Sequence, residues 1–291
     1  MSVAFPSSPR PALRAGFAAR LGAIVLGVWL AGGTVRAASA VGGVRVVDES
    51  TDDGLALFVE NKNLAAITMT VTVTGENATP TQPMPLILTC RGRGRFPLVE
   101  LKASPGAESY GYKIRYDWQF GLGGARHDDA VVYELPFASG KEYRVDQGPG
   151  GSFTHTGNNE HAIDFGMPEG TPVHAARDGM VEVVVDRFDR GGTDPSFRDS
   201  VNMILVRHSD GTYGEYVHLK RAGARVKPGQ KVKARQLLGY SGNTGYTQGP
   251  HLHFAVFSPT DGTTRDTIPI RFRTSAEKAV RVVEGRTYRA P

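Results

Sequence analysis

The most informative short pattern in the sequence is His251-Leu252-His253. Side chains two residues apart on a β-strand point to the same face, so both imidazoles would enter one site while Leu252 packs on the opposite side. Neutral imidazole is a common zinc ligand, and a His-x-His pair is a frequent metal-binding arrangement. Seven of the eight histidines lie between His155 and His253, so we expect the chemistry to be concentrated in the second half of the chain.

Two other segments carry residues that would complete such a site. The first contains His155, His161 and Asp164, and the second, Tyr213–Leu219, has the pattern of a strand that carries His218. One imidazole and one carboxylate from the first segment would join a histidine of the His-x-His pair in a His2Asp set. Its fourth coordination position would stay open for water, as catalytic zinc requires.

The elements that position these residues are predicted to be strands, so the fold class is all-β. Apolar and threonine residues alternate from Ile67 to Thr74, and aromatic residues, with Ile114 among them, recur at every second position from Tyr110 to Phe120. Alternation of this kind is typical of half-buried strands. We predict that the first half is an antiparallel β-sandwich, immunoglobulin-like in type, whose core includes the aromatic residues.

The second half is also predicted to be β-rich. Residues 173–185 are typical of two strands around Asp178-Gly179, and residues 201–207 of a third strand. No segment has the pattern of an amphipathic helix. His208 follows the third strand and precedes a turn, so we interpret it as structural and not catalytic.

The chain begins with a pattern typical of a secretory leader. Arg10, Arg14 and Arg20 precede an apolar run of about eleven residues, and Ala38-Ser39-Ala40 resembles a cleavage site. A membrane-spanning helix needs roughly 20 apolar residues, so no stable membrane anchor is expected after the leader is removed. We predict four parts: a signal peptide (1–40), the sandwich (41–140), a second domain (141–275) and a C-terminal tail (276–291).

Composition excludes one class of partner and leaves others open. The net charge of +5 includes four arginines in residues 1–40, which contain no acidic residue, so the remainder is close to neutral. The sequence therefore gives no compositional indication of nucleic-acid binding. Cys90, the single cysteine, lies in an apolar strand pattern and is interpreted as a packing residue. The oligomeric state is not indicated.

Several segments in order resemble the lysostaphin-type and LytM-type zinc metalloendopeptidases that cut bacterial cell wall. The resemblance covers about residues 148–274. It depends on Ala162-Ile163-Asp164-Phe165, Gly170-Thr171-Pro172-Val173, Tyr216-Val217-His218-Leu219, Gly239-Tyr240-Ser241-Gly242-Asn243-Thr244-Gly245 and Gly249-Pro250-His251-Leu252-His253-Phe254. It implies an antiparallel β-sheet metallopeptidase domain of the duplicated hybrid motif type, with Zn2+ at the floor of a groove.

The resemblance also implies roles for individual residues. Asp164 and His253 would be zinc ligands, and His218 and His251 would be the catalytic histidines. The family's usual spacing places the remaining ligand four residues before the aspartate, where this chain has Glu160. That departure leaves the first ligand open.

Three residues are candidates for that first ligand. We favour His155, because the loop Gly157-Asn158-Asn159 allows it to fold back toward Asp164. His161 is the alternative, although an odd separation from Asp164 on an extended strand points the two side chains to opposite faces. Glu160 is the third candidate.

The implied function is hydrolysis of peptide cross-links in peptidoglycan by an exported enzyme, periplasmic or extracellular and associated with the cell wall. The substrate partners would be peptidoglycan peptides. Alternatives are a non-catalytic relative that binds cell wall or activates another hydrolase, and a zinc peptidase that acts on proteins. A biotin-type or lipoyl-type carrier is disfavoured, because no modifiable lysine stands at a hairpin tip.

Overall fold

The computed structural model describes residues 42–291, which form strands and two short 3-10 helices, η1 (Gly157–Asn159) and η2 (Pro195–Asp199). The all-β prediction is confirmed for these residues. The predicted leader lies outside them. Within residues 42–291, no helix has the length and apolar content needed to cross a membrane.

The N-terminal unit consists of two antiparallel sheets. Its strands are β1 (Val44–Thr51), β2 (Gly54–Asn61), β3 (Ile67–Glu76), β4 (Ala78–Pro80), β5 (Leu86–Cys90), β6 (Gly94–Ala103) and β7 (Gly111–Phe120). One sheet has the order β1-β2-β6-β4 and the other β5-β3-β7. Side chains from both sheets meet in one hydrophobic core, which includes Trp118 and Phe120 of the predicted aromatic stripe.

A nine-stranded sheet organises the second unit, with the order β16-β12-β14-β15-β19-β10-β9-β22 and β20 paired to β19. Smaller two-stranded pairs, β11 with β17, β13 with β18 and β8 with β21, lie beside it. The strands are β8 (Tyr133–Glu134), β9 (Glu142–Gln147), β10 (Ile163–Gly166), β11 (Pro172–His174), β12 (Gly179–Val185), β13 (Gly191–Gly192), β14 (Met203–Arg207), β15 (Tyr213–Val217), β16 (Lys231–Val232), β17 (Leu237–Tyr240), β18 (Gly245–Tyr246), β19 (His251–Pro259), β20 (Arg265–Thr267), β21 (Phe272–Arg273) and β22 (Thr287–Arg289).

The two faces of this large sheet have different neighbours. On β14, Ile204 and Val206 point into a core made by the second unit alone. Met203 and Leu205 alternate with them and join the core of the N-terminal unit. The N-terminal unit is therefore packed directly on one face of the large sheet.

Residues outside both predicted limits of the second unit pack or pair with it. Tyr133, Leu135 and Phe137 belong to its core, although they precede the predicted boundary at 140. The expected tail 276–291 contains β22, which pairs with β9. We propose that this unit begins near Tyr133 and includes the C-terminal segment, because these residues bury their side chains in its core and not in the other.

His208 has the structural environment that its sequence context suggests. It is 1% exposed, its Nδ1 lies 3.1 Å from Thr212 Oγ1, and its ring makes an edge contact with Tyr133. Burial, and then the charge of Arg177, lower the pKa of His208 to about 3. The folded protein therefore holds this imidazole in its neutral form.

Acidification should destabilise the protein through His208. In the unfolded chain its pKa is about 6.5, whereas in the folded state it is about 3, so its stabilising contribution is complete above pH 6.5 and is lost as the pH falls. From pH 7 to pH 5 this group alone removes about 2 kcal/mol from the free energy of unfolding. Urea unfolding of the wild type and of His208→Gln at both pH values, with chelator present, measures the loss in the free energy of unfolding. Equal losses in both proteins would contradict the assignment.

Candidate metal centre and its groove

The pairing of β10 with β19 brings the first two candidate ligands together. Asp164 and His253 are register partners in this antiparallel pair, so their side chains project side by side. His253 Nδ1 lies 2.8 Å from Asp164 Oδ1. The neighbouring residues Leu252 and Phe254 point to the opposite face and are fully buried in the core of the second unit, as the two-residue period predicts.

His155 approaches Asp164 from the loop that precedes β10. Gly157, in the left-handed region at φ 54°, and η1 turn the chain between these two residues. The imidazole is completely buried, and its Nδ1 lies 2.9 Å from the carbonyl oxygen of Gly148. Because a carbonyl only accepts, Nδ1 carries the proton and Nε2 has the free lone pair in the neutral ring.

That lone pair points at another acceptor. His155 Nε2 lies 3.2 Å from Asp164 Oδ1 and has no hydrogen-bond partner. Two acceptors at this distance repel each other unless a cation, a proton or a metal ion, lies between them. Ligand atoms of His155, Asp164 and His253 all lie within 4.8 Å of one another.

The charges within this cluster favour an ionised aspartate. Burial acts to raise the pKa of Asp164, but its contacts with His155 and His253 and the charges of His253 and His251 hold it well below its usual range. Burial acts to lower the pKa of His253, but Asp164 and Glu215 raise it to about 9. The carboxylate is therefore negative and is faced by groups that can share a cation with it.

His218 and His251 flank the cluster, and each turns its Nδ1 toward a backbone carbonyl. His218 Nδ1 lies 2.7 Å from the carbonyl oxygen of Thr244, and His251 Nδ1 lies 2.8 Å from that of Gly249. Each Nδ1 therefore donates, and each Nε2 is left free. The two ring centroids are 4.5 Å apart, and His251 Nε2 is 3.7 Å from Asp164 Oδ1. Burial, and then the charges of His251 and His253, lower the pKa of His218 to about 3.

The backbone is strained where His218 leaves β15. Its φ of 62° lies in the left-handed region, which is uncommon for a residue with a side chain. Strain of this kind persists only where the surroundings impose it, and it is concentrated at functional sites. The loop that supplies Thr244 is equally constrained, since Gly245 has φ 84° and a Cβ there would lie 2.7 Å from Val201 Cβ.

The structure separates the candidates for the first ligand. His155 lies beside Asp164, whereas Glu160 is exposed and follows η1. His161 is half-buried, its backbone nitrogen donates to Thr267 Oγ1, and it is not among the clustered ligand atoms. The loop conformation, which spacing alone does not reveal, brings the more distant histidine to the aspartate.

Sequence reasoning missed two residues of the site, Glu215 and Arg265. Glu215 lies on β15, is 4% exposed, and makes a two-pronged contact with Arg265. Burial acts to raise the pKa of Glu215, but the charge of Arg265 and the contact with His253 lower it to about 2. Glu215 could have been identified from the sequence, because it is an acidic residue at an inward-facing position of an apolar strand. No sequence pattern pointed to Arg265.

The cluster opens into a groove with a volume of about 740 Å³. Among its lining residues, the rings of Phe153 and Tyr246 are stacked with centroids 6.0 Å apart, and the Arg198 guanidinium lies 5.0 Å from the centroid of the Tyr246 ring. Gln119 and Phe120 of the N-terminal unit also line the groove. Loops of the second unit and the edge of the first therefore shape the space around the histidines.

Comparison with known proteins identifies the region that contains this cluster. Residues 158–266 match the model of a family described as Peptidase family M23. The match includes Asp164, His218, His251 and His253, and it begins shortly after His155.

Individual relatives cover parts of the same region. The chain is 35% identical over 116 residues to the glycyl-glycine endopeptidase ALE-1 of Staphylococcus capitis, covering 39% of this chain and 29% of that protein. It is 38% identical over 96 residues to the peptidoglycan DD-endopeptidase ShyA of Vibrio cholerae, covering 33% of this chain and 20% of that protein. The chain thus spans less than a third of the length of either relative.

A solved structure aligns with a similar share of the chain. The catalytic domain of the antimicrobial peptidase lysostaphin from Staphylococcus simulans aligns with 44% of this chain and 87% of that chain, at 30% identity and a TM-score of 0.30. The family match and the sequence relatives agree on the region that holds the clustered histidines. This chain contains a domain of peptidase family M23.

Proposed function

We propose that this protein is an exported zinc metalloendopeptidase that hydrolyses peptide cross-links of bacterial peptidoglycan. The observation that carries the proposal is the arrangement of His155, Asp164 and His253 as a three-ligand set, with His218 and His251 beside it in an accessible groove. Three protein ligands with an open position are typical of catalytic zinc, whereas structural zinc sites are closed by four.

The donor set fits zinc on the evidence of its own contacts. Two imidazoles and one carboxylate are zinc ligands, and the lone pair of His155 Nε2 faces Asp164 with no proton donor between them. The Nδ1 contact with Gly148 also fixes the ring orientation that presents Nε2. When bound there, zinc would act as a Lewis acid that lowers the pKa of a water molecule and polarises the scissile carbonyl.

His218 and His251 supply the proton transfers. With both Nδ1 atoms donating to backbone carbonyls, each neutral ring presents Nε2 as an acceptor toward the groove. One histidine can take the proton as water attacks, and a protonated histidine can donate to the oxygen that gains charge and then to the leaving amine. The mechanism requires no covalent intermediate with the protein.

The substrate assignment is supported by the names of the two relatives. One is called a glycyl-glycine endopeptidase and the other a peptidoglycan DD-endopeptidase, so both names refer to hydrolysis of peptide bonds. Peptidoglycan lies outside the cytoplasm, which agrees with the leader-like pattern of residues 1–40. We infer a periplasmic or extracellular location at the cell wall.

We also infer that the two antiparallel sheets of the N-terminal unit form an immunoglobulin-like sandwich.

The direct test is digestion of isolated peptidoglycan sacculi by purified residues 41–291 with zinc. We expect soluble fragments with new peptide termini within cross-links, identified by mass spectrometry, because a peptide bound in the groove would have its scissile carbonyl beside the clustered histidines. Chelator and His253→Ala should each abolish release.

Parallel digestion of casein separates the alternatives. Cleavage of casein without cleavage of sacculi would replace peptidoglycan by protein substrates. A folded, zinc-loaded protein that binds sacculi and cuts neither would favour the non-catalytic reading.

Substitution of the first ligand should distinguish His155 from His161. We expect His155→Ala to weaken zinc affinity by more than the roughly 100-fold seen when only an outer partner of a metal ligand is lost. His161→Ala, the matched control from the same segment, should leave the affinity unchanged. Competition with a chromogenic zinc chelator measures both, and the reverse pattern would assign the ligand to His161.

Replacement of His218 should remove proton transfer without removing the metal. Asparagine tolerates the left-handed backbone of this position but cannot take up a proton at neutral pH. We expect His218→Asn to retain one bound zinc while kcat falls by about 10²–10⁴-fold. Metal analysis and steady-state kinetics provide the two readouts; a kcat close to that of the wild type would remove His218 from the mechanism.

A further inference from the structure

Glu215 is a buried acidic residue that the proposed reaction does not use directly. It lies in the middle of β15, which pairs with the His253 strand β19. Glu215 is opposite Ala255, and His253 is opposite Val217, so Glu215 and His253 are diagonal neighbours on one face of the sheet. The fold therefore points this carboxylate at the metal cluster from the side opposite Asp164.

The two nitrogens of the His253 ring face different carboxylates. Nδ1 lies 2.8 Å from Asp164 Oδ1, within the ligand cluster, whereas Nε2 lies 3.6 Å from Glu215 Oε1. At 3.6 Å the second contact is electrostatic and is longer than a formed hydrogen bond. A negative charge on that side favours a proton on Nε2, which leaves the lone pair on Nδ1 for a metal ion.

Arg265 fixes the carboxylate in place. Its two terminal nitrogens lie 2.7 Å and 2.9 Å from the two oxygens of Glu215, a two-pronged geometry that restricts both position and rotation. The pairing also compensates the charge of Glu215, which is 4% exposed. Glu215 is therefore an oriented negative charge and not a mobile acid.

The same arginine contacts the segment between the other two candidate ligands. Arg265 Nη2 donates to Asn159 Oδ1 at 2.6 Å, and its Nε donates to the carbonyl oxygen of Asn158 at 3.2 Å. Both asparagines belong to η1, which lies between His155 and Asp164. Arg265 thus connects the support of His253 to the loop that folds His155 back.

We propose that Glu215 is a positioning residue which, held by Arg265, fixes the ring orientation and tautomer of His253 for metal binding. The inference deepens the proposed function and rests on it, because it concerns the same metal site. Its consequence is a measurable effect on zinc affinity that is independent of substrate and of catalysis.

Glu182 provides a matched control. It is also a buried glutamate of the large sheet, and it pairs with an arginine, Arg207 Nε at 2.6 Å, and with the Tyr213 hydroxyl. It makes no contact with the clustered ligands among its hydrogen bonds and ion pairs in residues 42–291. Loss of either carboxylate leaves an arginine without its acidic partner, but only Glu215 faces His253.

The experiment compares zinc affinity in Glu215→Gln and Glu182→Gln. Substitution by glutamine keeps the shape of the side chain and removes its charge. We expect Glu215→Gln to weaken zinc binding by roughly 10- to 100-fold, in competition with a chromogenic chelator, and Glu182→Gln to leave it unchanged. Thermal unfolding of both metal-free variants should show similar losses of stability, since each leaves one arginine unpaired.

A second variant and a spectrum make the test independent of folding yield. Arg265→Lys keeps the positive charge but loses the two-pronged contact, so it should weaken zinc binding in the same direction as Glu215→Gln. Imidazole nitrogen NMR of the zinc-bound wild type should report a protonated Nε2 on His253.

The outcomes separate the two proposals. Tight zinc binding by the wild type with equal affinity in Glu215→Gln, or in Arg265→Lys if the former does not fold, would overturn the positioning role alone. Equal weakening in Glu182→Gln would also overturn it, by assigning the effect to general destabilisation. A wild type that binds zinc no better than His253→Ala would overturn the proposed function and this inference together.

Discussion

The site depends on one register, the antiparallel pairing of β10 with β19. Asp164 and His253 are opposite each other only because Ile163 pairs with Phe254, and Phe165 with Leu252, on the other face. Those four side chains are buried in the core of the second unit. A slip by one residue would turn His253 into that core and expose Leu252 in the groove, so hydrophobic burial on one face fixes the polar pair on the other.

The face that carries the metal cluster also carries the N-terminal unit. Met203, Leu205 and Phe257 of the large sheet contribute to the core of that unit, and they also line the groove. Gln119 of β7 donates to the carbonyl oxygens of Asp261 and Thr264, in the turn between β19 and β20. The N-terminal unit is thus part of the structure that bounds the groove, and its position limits what can lie along the sheet.

Several buried or half-buried acidic residues of the second unit are paired with an arginine. Glu215 faces Arg265, Glu182 faces Arg207, and Asp210 faces Arg177 at 2.7 Å. Asp164 differs, because its ion-pair partners within residues 42–291 are histidines and not an arginine. An arginine would neutralise the carboxylate permanently, whereas imidazoles leave it available to share a cation. This contrast distinguishes the candidate metal centre from the structural ion pairs around it.

The sequence alone determined the local features of the protein. Two-residue periodicity gave the strands, the shared face of His251 and His253, and the burial of Leu252, because side-chain direction along a strand depends only on the neighbouring residues. The order of several short segments also gave the family, and with it the expected roles of Asp164, His218 and His251.

Only the tertiary structure decided features that depend on distant parts of the chain. The approach of His155, and not His161, to Asp164 depends on a loop that turns at Gly157. The contact of Glu215 with Arg265 joins strands that are separated along the sequence. The extent of the second unit depends on the pairing of β22 with β9. Local patterns specify which way a side chain points, whereas loop closure, strand register and the packing of two cores specify what it meets there.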